Sequence, residues 1–92
     1  MIKSFRHKGL QRFFEDDDGS KLPPDMSDRI RLILSTLPAA QEIEGMNVPT
    51  FRLHILKGEL KGFFSVTARA NWRIIFQFEN GDALDVDFID YH

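Results

Sequence analysis

Between residues 62 and 89 apolar and polar side chains alternate with a period of two, and the alternation breaks at Asn71 and at Asn80-Gly81. Successive strand side chains point to opposite faces, so such a pattern demands antiparallel hairpins with one apolar and one polar face. The expected strands are 51–53, 62–67, 72–78 and 83–89. Folding 62–69 back on 73–79 about Asn71 sets Phe64, Val66 and Ala68 beside Phe78, Phe76 and Ile74, a wholly apolar face. The other face then holds Ser65 beside Gln77, Thr67 beside Ile75, and Arg69 beside Arg73. For the second hairpin, Asn80-Gly81 suits a two-residue type I′ turn, but that register pairs Phe76 with Asp85 and carries acids into the core. A three-residue loop ending at a left-handed Gly81 avoids this by pairing Phe76 with Leu84 and Ile74 with Val86. It sends Asp85 and Asp87 to the polar face with the arginines.

Upstream the period changes. Residues 2–5 read as a brief strand. Leu10, Phe13 and Phe14 fall at i, i+3, i+4 in a helix over 8–15. Asp16-Asp17-Asp18 opposes the macrodipole and ends it, with Gly19 as the expected left-handed cap. The acid run lacks the alternate spacing and terminal Glu of a calcium loop and reads as a solvated turn. Pro23-Pro24-Asp25 opens a second helix, with Asp25 or Ser27 expected to cap free N–H groups. Its stripe is Met26, Ile30, Ile33, Leu34 and Leu37, and Pro38 stops it. Arg29 and Arg31 lie off the stripe and read as solvated surface. Residues 39–50 are a connector with a helical turn near 41–43. The expected architecture is α+β: two N-terminal helices packed on one face of a small, mainly antiparallel sheet, the polar face open. Ninety-two residues suggest one domain spanning 1–92.

Charge is segregated along the chain. The net value is -2, which does not advertise a polyanion ligand. Yet residues 1–12 carry Lys3, Arg6, Lys8 and Arg12 and no acid, and residues 51–73 carry Arg52, Lys57, Lys61, Arg69 and Arg73 against Glu59 alone. A molecule so divided can offer a basic site to phosphate. Two adjacent arginines need an anion, supplied either by Asp85 or Asp87 or by a phosphate. His54 and Lys57 lie near a strand end, where a lone histidine is structural or catalytic. His92, the last residue, means nothing by itself. The absence of cysteine excludes disulfides and thiolate catalysis and disfavours zinc. No apolar run approaches the ~20 residues that span a bilayer, and the start lacks a signal-peptide core. The expectation is a soluble cytoplasmic protein with no membrane partner.

Five strings are similar to the HigB branch of the RelE/ParE toxin superfamily. They are Met1-Ile2-Lys3-Ser4-Phe5 with His7-Lys8-Gly9-Leu10, Arg52-Leu53-His54-Ile55-Leu56-Lys57-Gly58, Arg69-Ala70-Asn71-Trp72-Arg73-Ile74, Gly81-Asp82-Ala83, and Asp90-Tyr91-His92. The resemblance covers nearly the whole chain and is weakest over 16–50. It implies a RelE-like fold and a type II toxin that cleaves translated mRNA on the 70S ribosome without metal or other cofactor. It also implies a HigA-type helix-turn-helix antitoxin, through which the complex binds operator DNA. Such cleavage uses the ribose 2′-OH as nucleophile, and needs a base, cations for the pentavalent phosphate, and an acid for the leaving oxygen. Carried onto matching positions, the resemblance makes His92 the general base, with His54 assisting or orienting. Lys57, Arg69 and Arg73 bind and neutralise the phosphate. Asn71 and Tyr91 position the RNA, Asp90 orients His92, and Lys61 adds an RNA contact. Acids on the same face sit awkwardly with a polyanion and imply weak action on free RNA. The rival readings are a ParE-like gyrase inhibitor and a module that only binds its partner. The gyrase inhibitor needs fewer cations and histidines near the sheet, and the binding module is separated by mutating His92 and Arg73.

Overall fold

The computed structural model describes residues 1–91. Helix α1 spans Lys8–Asp16 and buries Gly9, Leu10 and Phe13. It starts where His7 Nδ1 accepts the Leu10 N–H at 3.1 Å. Its left-handed cap is Asp17, φ 56, rather than Gly19. The Asp17 and Asp18 N–H groups donate to the Phe13 and Arg12 carbonyls at 3.1 and 3.3 Å, so the last turn closes two residues earlier than the glycine invites. Pro24–Met26 forms a 3₁₀ turn that leads into α2, Ser27–Thr36, and a second 3₁₀ turn, Leu37–Ala39, extends it. Neither proposed cap is used: the Ser27 hydroxyl donates to the Pro24 carbonyl at 2.8 Å, and Asp25 is engaged elsewhere. Arg29 is also not free surface. It donates to the Thr67 carbonyl and to Thr50, and lies 5.0 Å over the Phe51 ring, pinning α2 to the sheet.

The four strands β1 (His54–Ile55), β2 (Phe64–Arg69), β3 (Trp72–Glu79) and β4 (Asp82–Asp90) form an antiparallel sheet in the order β1-β2-β3-β4. The N-terminal segment is not a strand of its own but two parallel bridges, Ile2 with Ala83 and Phe5 with Val86, which cover the β4 edge. The expected first strand at 51–53 is displaced. Pro49 has no donor and begins a 3₁₀ turn, Pro49–Phe51, Arg52 is left-handed with φ 52, and Phe51 is buried in the core. The connector's helical turn lies at Ile43–Met46.

Both hairpins differ from the expected registers. In the first, Phe64 faces Phe76, Val66 faces Ile74 and Thr67 faces Arg73, a slip of two residues that keeps the parity of each face. A bulge then inserts Ala68, so that Arg69 faces Trp72 across the Ala70-Asn71 turn. In the second, the two-residue turn wins: Asn80 and Gly81 both have positive φ, 53 and 83, and Phe78 faces Ala83. The acids stay out of the core because β4 carries its own bulge. Ile75 faces Asp87 and Gln77 faces Leu84, leaving Asp85 and Val86 opposite Phe76. Asp85 adopts φ 53, and its N–H donates to the Ser4 hydroxyl at 2.8 Å.

One core joins Leu10, Phe13, Ile30, Ile33 and Leu37 of the helical segments to Val66, Ile74, Phe76 and Val86 of the sheet. The opposite face is not uniformly polar. Leu56, Phe63 and Ile75 form a second, smaller cluster there, closed by the 56–63 loop, whose Leu56 N–H donates to the Phe63 carbonyl at 2.9 Å. At Gly81 the positive φ coincides with a close approach, since an added Cβ would lie 3.3 Å from the Gln41 carbonyl oxygen. Gly81→Ala is therefore expected to cost about 1–2 kcal/mol, read as a lower melting temperature.

Candidate active site

By strand parity the face away from the main core carries two of the candidate residues, His54 and Arg73. One row runs His54, Ser65, Ile75, Asp87 across β1 to β4, and the next runs Thr67, Arg73, Ile89. His54 is exposed on β1, opposite a fully buried Ser65 whose hydroxyl has no hydrogen-bond partner among the described residues. Lys57 precedes the 3₁₀ turn Gly58–Leu60 and Lys61 follows it, both exposed on the loop beside β1.

Arg73 is half-buried at the centre of this arrangement. Its Nη1 donates to the Thr67 hydroxyl at 3.1 Å, and its guanidinium lies 5.6 Å from the centroid of the Tyr91 ring. Tyr91 is in turn held by its N–H, which donates to the Asn71 carbonyl at 2.7 Å, so the turn and the end of β4 are tied together. Arg73 Nε is buried without an acceptor, and Arg73 makes no ion pair among the described residues. Neither acid expected to neutralise it does so. Asp85 is turned to Ser4, and Asp87 accepts the Phe88 N–H at 2.9 Å. Asp87 does remain on this face, opposite Ile75.

Arg69 and Asp90, both opposite Trp72, are the strand residues that the structure separates from the group. Cross-strand partners share a face, so the bulge that sets Arg69 opposite Trp72 turns it from Arg73 toward the helical side. There its Nη1 pairs with Asp25. The expected Arg69–Arg73 neighbour pair is thus absent. Both side chains of the Arg69–Asp25 pair are 60% exposed, which limits its worth to under about 1 kcal/mol. Asp25→Ala should accordingly leave the urea midpoint almost unmoved while releasing Arg69. Asp90 faces Trp72 at the end of β4. His92 lies outside the described residues.

Thr67 lies on this face as expected, but the two-residue slip sets it beside Arg73, for which it is the acceptor, rather than beside Ile75. One contributor is unexpected. Arg6, exposed, lies 5.0 Å over the Phe63 ring and so reaches across from the β4 edge. The only signal for Arg6 was the acid-free basic run at the start of the chain. Among the described residues no three His, Asp or Glu side chains gather as metal ligands, and no helix is long and apolar enough to cross a membrane. What the arrangement offers chemically is a forked cation, unpaired with any carboxylate among the described residues, with a tyrosine against it and a histidine on the same sheet face, which suits a phosphate oxygen.

Comparison with known proteins identifies the family and the fold. The model of the HigB-like toxin family, described as the RelE-like toxin HigB of type II toxin-antitoxin systems, matches residues 3–92. Endoribonuclease HigB of Proteus vulgaris is 49% identical over 92 residues, covering all of both chains. Toxin HigB-1 of Vibrio cholerae is 34% identical over 94 residues, covering 100% of this chain and 98% of the relative. Among solved structures, the YoeB-YefM toxin-antitoxin complex from Staphylococcus aureus contains a chain with a TM-score of 0.62 at 15% identity. That match covers 100% of this chain and 98% of the other, a likeness of fold. With nearly every residue inside the family match and a full-length relative at 49% identity, the chain belongs to the HigB-like family of RelE-like toxins of type II toxin-antitoxin systems.

Proposed function

We propose that this toxin is an endoribonuclease that cuts translated mRNA on the ribosome by attack of a ribose 2′-OH on the adjacent phosphate, without a metal. The observation that carries the reading is Arg73: a cation with no carboxylate partner among the described residues, fixed between Thr67 and Tyr91 on the face that also bears His54. A charge held unpaired in a half-buried site is costly unless an anion joins it. A phosphoryl oxygen would take the free side of the guanidinium and give the buried Nε a reason to swing outward. The relative named Endoribonuclease HigB supports the same reaction class.

In this mechanism Arg73 and Lys57 stabilise the charge that builds on the equatorial oxygens, where preorganised donors act most strongly. His92 takes the 2′-OH proton, a task suited to an imidazole near neutral pH. Asp90 orients it and His54 assists. Tyr91 and Asn71 position the RNA, and Lys61 holds its backbone. Arg69, turned to the helical side and paired with Asp25, takes no part in this phosphate site. The net charge of -2 and the presence of Asp87 on the working face leave little general affinity for RNA, so the ribosome must present the message. A HigA-type helix-turn-helix antitoxin neutralises the toxin, and their complex binds operator DNA. The chain works in the cytoplasm as one domain over residues 1–92.

The test is to map transcript ends after brief induction in cells, alongside purified toxin on naked RNA. Cuts confined to translated frames, with naked RNA intact, are the expected result. Growth arrest with transcripts intact and DNA gyrase inhibited would replace this reading with a ParE-like one. Efficient cutting of naked RNA would remove the ribosome from it.

A further inference from the structure

Beyond β4 the open face runs into a cleft of about 530 Å³ lined by Arg6, Lys8, Arg12, Lys21 and Asp87 together with His7 and Gly9. The four cations are exposed, and none makes an ion pair among the described residues. Nearby Asp18 is mostly occupied locally. Its carboxyl is held below its ordinary value by hydrogen bonds from Ser20 and, more weakly, by the charges of Arg12 and Lys21. The cleft is built rather than incidental. A Cβ on Gly9 would come within 2.8 Å of both the His7 ring and the Lys21 Cβ, so the absence of a side chain there lets Lys21 close against the start of α1. The local electrostatics also run against helix stability. The first turn of α1 holds Lys8 and no acid, where the macrodipole favours negative charge. Four cations converging on one cleft repel each other, and a polyanion relieves that repulsion.

Arg6 joins this cleft to the open face. The same side chain lines the cleft and lies over Phe63, in the cluster that also contains Ile75. A basic track therefore continues from the His54 and Arg73 rows past the β4 edge. We propose that this cleft is a second phosphodiester-binding site, gripping an RNA backbone away from the linkage that is cut. The inference rests on the endoribonuclease reading for its choice of RNA. Asp87 is the one opposing charge in the lining, and it sets a limit on how tightly free RNA is held.

The experiment uses the full chain with Lys8→Gln, Arg12→Gln and Lys21→Gln combined. Binding is measured as a function of salt with two probes: a short single-stranded RNA carrying 2′-O-methyl groups, which lacks the attacking hydroxyl, and empty ribosomes. Cleavage of a translated message is measured in parallel. Three lost phosphate contacts should flatten the slope of log affinity against log salt by about 2, and raise KM with little change in kcat. A flattened slope with the short RNA places the message in the cleft, and one seen only with ribosomes places ribosomal RNA there. A Lys8→Arg, Lys21→Arg variant should keep the wild-type slope. An unchanged slope with both probes, in a triple variant that melts like wild type, would overturn the proposal. If the wild-type chain cuts no message, the endoribonuclease reading falls while the binding measurements still decide the cleft.

Discussion

Replacing Arg73 with alanine is expected to lower the rate of message cleavage on ribosomes by about 10²–10³-fold, the usual loss when one preorganised donor to a developing oxyanion is removed. Most of the loss should fall on kcat, because the guanidinium meets more negative charge in the pentavalent state than in the bound substrate. Arg73→Lys should recover only a small part. An ammonium is a point charge and cannot hold the Thr67 hydroxyl while presenting a fork to phosphate. Thr67→Val is a milder probe of the same geometry, since it frees Arg73 Nη1 without removing the charge. Thermal melts of each variant separate chemistry from folding. Cleavage by Arg73→Ala within about threefold of wild type would leave the phosphate site without its central cation and the mechanism without support.

His92→Ala is expected to reduce kcat by about 10²–10⁴-fold, the range ascribed to a positioned general base. The variant should also lose the fall in rate at acid pH that an imidazole base imposes, because a protonated ring cannot accept the 2′-OH proton. His54→Ala should cost far less if His54 only assists, and it should leave that pH limb in place. A reversal of these two results would move the base to β1, where His54 stands exposed opposite Ser65. His92→Gln, with similar bulk and no titratable side chain, checks that the effect is proton transfer and not lost side-chain volume.

The composition of the faces was legible in the chain, and so was the family. Val66, Ile74 and Phe76 were assigned to the apolar face because parity depends only on the period of two, and they do lie together in the main core. The helical stripe was nearly as plain: Leu10, Phe13, Ile30 and Ile33 are all buried, while Phe14, expected on the same face, is exposed. Arg73 was placed correctly beside the polar residues for the same reason. Arg69 was not. A bulge inserts one residue and reverses the face of everything beyond it, and Ala68 carries no local mark of one. The second hairpin shows the converse. Asn80-Gly81 formed the turn that its chemistry favours, and the conflict that argued against it was resolved downstream, at Asp85.

Side-chain chemistry and spacing alone determined which residues alternate, where the chain turns, and that cations collect in two stretches, because these are properties of near neighbours. Tertiary structure decided the rest. The N-terminal segment supplies Ser4 to stabilise the left-handed Asp85 and carries Arg6 over Phe63, while the helical side supplies Asp25 to hold Arg69. Each of those outcomes depends on partners more than forty residues away, whose arrival no local pattern encodes.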